Sequence, residues 1–151
     1  MVNDAFAITE NLCKQYEGLY LRPYLCPAGI PTIGYGTTRY ENGVKVSLAD
    51  PAITAERARV LLRNELAGVV YPAVLALCPN LKSWGVCATA AIMDFTYNLG
   101  TGRLRASTLR KKIQADDRAG AKRELAKWVN GGGRVLPGLV KRRMSECALI
   151  G

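Results

Sequence analysis

Residues 17–38 read Glu17-Gly18-Leu19-Tyr20-Leu21-Arg22-Pro23-Tyr24-Leu25-Cys26-Pro27-Ala28-Gly29-Ile30-Pro31-Thr32-Ile33-Gly34-Tyr35-Gly36-Thr37-Thr38, and the fold is decided around them. Upstream, Ala5, Ile8 and Leu12, with Phe6, Cys13 and Tyr16, recur at helical spacing behind a cap at Asn3 or Asp4. A helix therefore ends near Glu17, and Gly18 is its stop. From Leu21 to Val46, prolines and glycines alternate with tyrosines and β-branched residues, which predicts a small antiparallel sheet. After Asp50-Pro51, Thr54 caps a helical run through Glu56, Leu61, Leu62 and Leu66 that Pro72 kinks or ends. Further helices are expected over Ser83–Leu99 stopped by Gly100, over Ser107–Ala115, over Asp117–Val129 stopped by Asn130-Gly131-Gly132-Gly133, and over Gly138–Ile150. The expected fold class is α+β: a helix, a small antiparallel sheet, then a helical bundle.

A chain of 151 residues suits one domain with two lobes, a sheet lobe over about 18–50 and a helical lobe over about 1–17 and 51–151. With 49% hydrophobic and 22% charged residues, the composition excludes disorder and collagen-like repeats. The longest apolar stretches, Val69–Cys78 and Gly85–Met93, fall short of a bilayer span, so neither a transmembrane segment nor a secretory signal is expected. Five cysteines, none at metal-site spacing, and no histidine argue against structural zinc, and no metal or cofactor is expected. The odd cysteine count fits synthesis in a reducing cytoplasm. Without histidine, acid–base chemistry near neutral pH falls to carboxylates, thiols or lysines.

Glu17 stands at a helix C-terminus, where the peptide dipoles disfavour a charged carboxylate. Apolar neighbours Tyr16, Leu19 and Tyr20 act in the same direction, which suits a proton donor; the alternative is a solvated surface glutamate. The segment resembles the active-site signature of the phage-type lysozymes, glycoside hydrolase family 24. In that family a glutamate at a helix end is followed, after eight intervening residues, by an aspartate, and after five more by a threonine that opens a T-I-G-x-G turn. Glu17, Cys26 and Thr32 fall on that spacing, and Thr32-Ile33-Gly34-Tyr35-Gly36 is the turn. The resemblance continues through Asp94-Phe95-Thr96-Tyr97-Asn98-Leu99-Gly100, Ser107-Thr108-Leu109, Trp128, and Gly138-Leu139-Val140-Lys141-Arg142-Arg143 with Glu146. Taken singly, Phe95 and Trp128 read as core packing, and Lys141-Arg142-Arg143 as a solvated helix face.

The resemblance implies a lysozyme-like fold with the cleft between the lobes, and hydrolysis of the β-1,4 bond between N-acetylmuramic acid and N-acetylglucosamine in peptidoglycan. Glu17 would protonate the glycosidic oxygen, Cys26 would orient or activate water or attack the anomeric carbon, and Thr32 would hold that water. Gly34, Tyr35 and Asn98 are expected to line the substrate site, Tyr35 being equally explained by sheet packing. Cys26 departs from the family's aspartate: a thiol serves as a thiolate if Arg22 or an arginine of the C-terminal helix lowers its pKa, or else is only a packing residue. The departure favours a second reading, a lytic transglycosylase that needs one glutamate and leaves anhydro products. A third is a non-catalytic basic module binding the wall or nucleic acid, for which no nucleic-acid motif is apparent.

The net charge of +9 comes from residues 101–151, with 13 Lys/Arg against 4 Asp/Glu, a distribution suited to an anionic envelope surface. Arg142 or Arg143 is a candidate partner for Glu17 or another cleft acid. The family further implies a monomer, no nucleic-acid partner, and a host-cytoplasmic pool released to the wall by a holin-like membrane protein.

Overall fold

The computed structural model describes residues 2–151, with side chains from Asp4 onward. The first helix, α1 (Val2–Glu17), starts ahead of the expected cap, so Asp4 sits in its first turn, where an acid suits the positive helix end. The Asn3 side chain lies outside the described residues. Gly18, at φ 74, breaks the helix and turns the chain into β1 (Tyr20–Leu25), which pairs antiparallel with β2 (Pro31–Gly34). The register runs Tyr20↔Gly34, Tyr24↔Thr32 and Leu25↔Pro31, with a shift between Tyr20 and Tyr24. Isolated bridges Ile33↔Thr37 and Arg39↔Lys45 extend the strand-and-turn region, as the proline and glycine pattern predicts.

Thr54 caps α2 (Ala55–Glu65), its hydroxyl accepting from the Arg57 amide. Of the two outcomes expected at Pro72, a kink or an end, the run does not end there. A π-helical turn, Leu66–Val70, precedes α3 (Tyr71–Leu77), and the Tyr71 amide reaches back to the Leu66 carbonyl. The widened turn suspends the regular ladder just ahead of the proline, whose missing N–H then falls at the start of a new helical stretch. The combined run, Ala55–Leu77, is long and apolar enough by length and composition to cross a membrane, which the shorter stretches seen in sequence did not suggest. Its inner stripe, Ala58, Leu61, Leu62, Leu66, Val70, Val74 and Leu77, is buried in the protein.

Gly85, at φ 96, splits the expected Ser83–Leu99 helix into α4 (Leu81–Trp84) and α5 (Val86–Leu99). After Gly100 comes α6 (Thr101–Ala106), which no sequence signal announced, then α7 (Thr108–Gln114), capped by Ser107, and α8 (Arg118–Leu125), capped by Asp117. The glycine run after Trp128 is a hairpin rather than a plain helix stop: β3 (Asn130–Gly131) and β4 (Arg134–Val135) pair across Gly132 and Gly133, both at positive φ. Pro137 opens α9 (Pro137–Ile150).

The centre of the helical part is α5, packed chiefly on α1 and α9 and buried from Ala88 to Phe95 without interruption. Phe95 meets Trp128 edge to face at 5.4 Å, so both are core residues, as expected. This central helix carries one charge, Asp94, into the core and so fixes where the charged groups of α1 and α9 converge.

Candidate active site

Glu17, the last residue of α1, is half-buried and ion-paired: the Arg142 Nη1 donates to its Oε1 at 2.7 Å. The other edge of the same guanidinium grips Asp94, with Nε on Oδ2 and Nη2 on Oδ1, both at 2.8 Å. Arg142 is 3% exposed and Asp94 fully buried, so one cation from α9 joins the end of α1 to the middle of α5. A bidentate fork of this kind fixes orientation as well as charge. Cys13 completes the cluster, its thiol donating to Asp94 Oδ1 at 3.4 Å. Burial, then the charge of Asp94, pushes that thiol far above its ordinary range, so it is a neutral donor.

The next residue of α9 is Arg143, whose Nη2 donates to Asn98 Oδ1 at 2.9 Å and to Glu146 Oε1 at 2.8 Å. Arg142 and Arg143 are therefore not a solvated face; of the basic run, Lys141 alone is exposed. The sequence-level choice between the two arginines resolves to Arg142 for Glu17. Burial first, then the neighbouring Asp94, pushes the Glu146 carboxyl well above the usual range, whereas hydrogen bonds and charge from Arg142 overcome burial to hold Asp94 low.

A group held high in the fold contributes stability below its unfolded value and loses it as pH rises through the folded one. Wild-type stability is therefore expected to fall as pH rises from the ordinary carboxylate range toward the raised Glu146 value. Glu146→Gln, which keeps an acceptor for Arg143 and cannot ionise, should fold normally and flatten that decline. Denaturant titrations at stepped pH check it; an unchanged slope would contradict the assignment.

The second oxygen of Glu17 faces Gly36. A Cβ added there, at φ 92, would lie 3.3 Å from Glu17 Oε2 and 3.3 Å from the Tyr97 hydroxyl. Gly36 thus brings bare backbone up to the carboxylate. Tyr97 donates to the Tyr35 carbonyl at 2.5 Å, tying the turn after β2 to α5. Gly34 has its Cα packed on α2, where a Cβ would meet that of Ala58 at 3.2 Å, so it brings the sheet against the helix. Tyr35 is half-buried against the core, with Lys14 Nζ 6.0 Å from its ring centre. Asn98, also half-buried, spends its side-chain oxygen on Arg143.

Cys26 lies just beyond β1, partly exposed, in a turn closed by its amide on the Ile30 carbonyl and by the Gly29 amide on its own carbonyl. Backbone hydrogen bonding from Ile30 is the largest influence holding its thiol below the ordinary value, with Ala28 and the Thr32 hydroxyl acting in the same direction. The loop itself, rather than Arg22, favours the thiolate. Thr32 is buried and donates to the Ile30 carbonyl at 2.8 Å, and its register with Tyr24 puts both on one face of the hairpin. Tyr24 feels the charge of both Glu17 and Cys26, so the helix end and the hairpin turn share one neighbourhood.

Sequence reasoning left Asp94, Tyr97, Tyr20 and Tyr24 out of the site. A lone acid within an apolar helical run was the available signal for Asp94, because a buried charge requires a partner. Among the described residues there is no cluster of three or more potential metal ligands.

The phage lysozyme family model matches residues 14–146. Over 147 residues the chain is 38% identical to an endolysin of Acyrthosiphon pisum secondary endosymbiont phage 1, covering 92% of each chain. It is 33% identical over 140 residues to the endolysin of Bacillus phage B103, covering 93% of this chain and about half, 51%, of that one. A crystal structure of P22 lysozyme superposes with a TM-score of 0.76 at 28% identity, over 94% of both chains. The fold and these matches define a lysozyme-type glycoside hydrolase. The chain belongs to the phage lysozyme family, whose endolysins act on peptidoglycan.

Proposed function

We propose that the muramidase reaction of this endolysin is carried by Glu17, Cys26 and Thr32, in a cleft between the two lobes of a single lysozyme-like domain. The observation that carries the reading is the placement of Glu17: a half-buried carboxylate with Arg142 on one oxygen and the Gly36 backbone beside the other. Arg142 fixes the Oε1 side, and the Oε2 side presents the proton to the glycosidic oxygen. As the bond breaks, positive charge grows at the anomeric carbon and the returning negative charge on Glu17 meets the guanidinium. Cys26, favoured as a thiolate by its turn, orients or activates the water that completes hydrolysis, or attacks the anomeric carbon itself. Thr32 positions that water from the same hairpin face.

Mass spectra of fragments released from purified peptidoglycan test the reaction. Products with an added water and a reducing muramic acid support hydrolysis; anhydro products, lighter by one water, would mark a lytic transglycosylase instead. For Cys26, Cys26→Asp is expected to keep turnover within roughly threefold and Cys26→Ser to lose tenfold or more, since a serine hydroxyl stays neutral at neutral pH. A large gain from a negligible wild-type rate in Cys26→Asp would mean that the thiol does not serve.

The reading extends to delivery. The protein acts as a monomer with no nucleic-acid partner, drawn from a host-cytoplasmic pool to the wall through a holin-like membrane protein. Its exposed cations Arg103, Arg105, Lys111, Arg123, Lys127, Arg134 and Lys141 draw it to an anionic envelope surface. The family supports the first part, and the uneven charge supports the second.

A further inference from the structure

Tyr20 and Tyr24 stand four residues apart on β1, a separation of roughly 13 Å along a regular strand. Their ring centroids are nevertheless only 4.0 Å apart, with the planes at 28°. The pairing explains the closeness: from Tyr20↔Gly34 to Tyr24↔Thr32, β1 advances four residues while β2 advances two. The strand therefore bulges around Pro23 and brings the two side chains together on the face they share with Thr32. Neither ring belongs to the apolar core, and Tyr20 is 46% exposed. A bulge that stacks two aromatic rings in contact with solvent gains little from burial, and bulges commonly re-aim side chains beside active sites.

The stack also stands beside the reacting groups. A Cβ on Gly18, the residue after Glu17, would touch the Tyr20 ring edge at 3.6 Å. The Tyr24 hydroxyl feels the charges of Glu17 and Cys26 together. An exposed aromatic face with hydroxyls at its edge matches the pyranose ring, which offers an apolar C–H face and polar hydroxyls around its rim.

We propose that the Tyr20–Tyr24 stack is a saccharide platform, on which an N-acetylhexosamine ring of the glycan strand lies beside Glu17. The proposal rests on the glycosidase reading of the site and names a substrate contact that the Glu17, Cys26 and Thr32 motif does not include.

The test uses the tetramer of N-acetylglucosamine as probe, titrated calorimetrically into Glu17→Gln, alone and combined with Tyr20→Phe, Tyr20→Trp or Tyr20→Leu. Phenylalanine and tryptophan should bind as well as tyrosine or better, and leucine roughly fivefold to tenfold more weakly. With Glu17 intact, Tyr20→Leu should raise KM for soluble glycan fragments and leave kcat nearly unchanged. In proton NMR the bound tetramer should show ring-current shifts on its sugar C–H protons, which Tyr20→Leu removes. Should Tyr20→Leu unfold, the phenylalanine and tryptophan affinities and the ring-current shifts decide the matter alone. Equal affinity of the leucine variant, no binding by the parent, or binding without ring-current shifts would overturn the platform. Undiminished cleavage by Glu17→Gln would instead overturn the catalytic reading, without touching the binding result.

Discussion

Glu17→Gln is expected to abolish release of soluble fragments from purified peptidoglycan, with a fall in kcat of about a thousandfold or more, while thermal stability stays near wild type. The amide keeps the shape of the side chain and still accepts from Arg142 through its oxygen, but it has no proton to give to the leaving oxygen. General acid catalysis contributes on the order of a hundredfold to ten thousandfold, and Glu17 is the carboxyl group that stands against the Gly36 turn. The Arg142 contact is a charge-assisted hydrogen bond at a partly exposed position, so its weakening costs little fold stability. Residual turnover within tenfold of wild type, measured as reducing-end release, would remove Glu17 from the acid role.

Arg142→Met carries the largest expected effect on the fold. It strips the fully buried Asp94 of both guanidinium hydrogen bonds and leaves a carboxylate facing Cys13 and Glu146 in the core. Breaking one side of a buried pair costs about 3–5 kcal/mol, because the remaining charge stays desolvated. For a domain of this size that is a fall in Tm of roughly 10 °C. Activity should fall further than stability explains, because the Glu17 Oε1 loses the group that orients it. Adding Asp94→Leu to Arg142→Met should restore much of the Tm by removing the orphaned charge, yet should not restore kcat, so the two losses separate. A single variant as stable as wild type would show that solvent reaches Asp94 and that the pair is not closed off.

The same pair shows how far the sequence could be read. The α1 terminus, the Pro- and Gly-rich hairpin and the caps at Thr54, Ser107 and Asp117 are local features, governed by residues adjacent in the chain, and their order sufficed for an α+β reading. At Pro72 the sequence left a kink and an end both open, and the run continues because the cost of a proline inside a helix is avoided by one wide turn, Leu66–Val70, which has no simple sequence signature. Gly85 and the run Gly131–Gly133 misled in the other direction. Glycine marks a break without saying whether a bend, a second helix or a hairpin follows.

The candidate site divides along the same line. The spacing of Glu17, Cys26 and Thr32 lies within one segment, whereas Arg142, which pairs with Glu17, comes from α9, and Asp94, which holds Arg142, from α5. Lys141-Arg142-Arg143 looked solvated because a basic run usually is; two of its three members are core residues because Asp94 and Glu146 are there to receive them. Only the approach of three helices, invisible in any single window of sequence, reveals it.

The hydrogen bond between Glu17 and Arg142 joins residues 125 positions apart. During synthesis α1 emerges well before α9, so the Glu17 carboxylate has no oriented partner until α9 has docked. Closing so long a loop is slow relative to local helix formation. A chain that stops short of α9 therefore carries the Glu17 carboxylate without the group that orients it. The cluster around Asp94 is in this sense the product of chain connectivity over its greatest span, formed after the local helices that contribute to it.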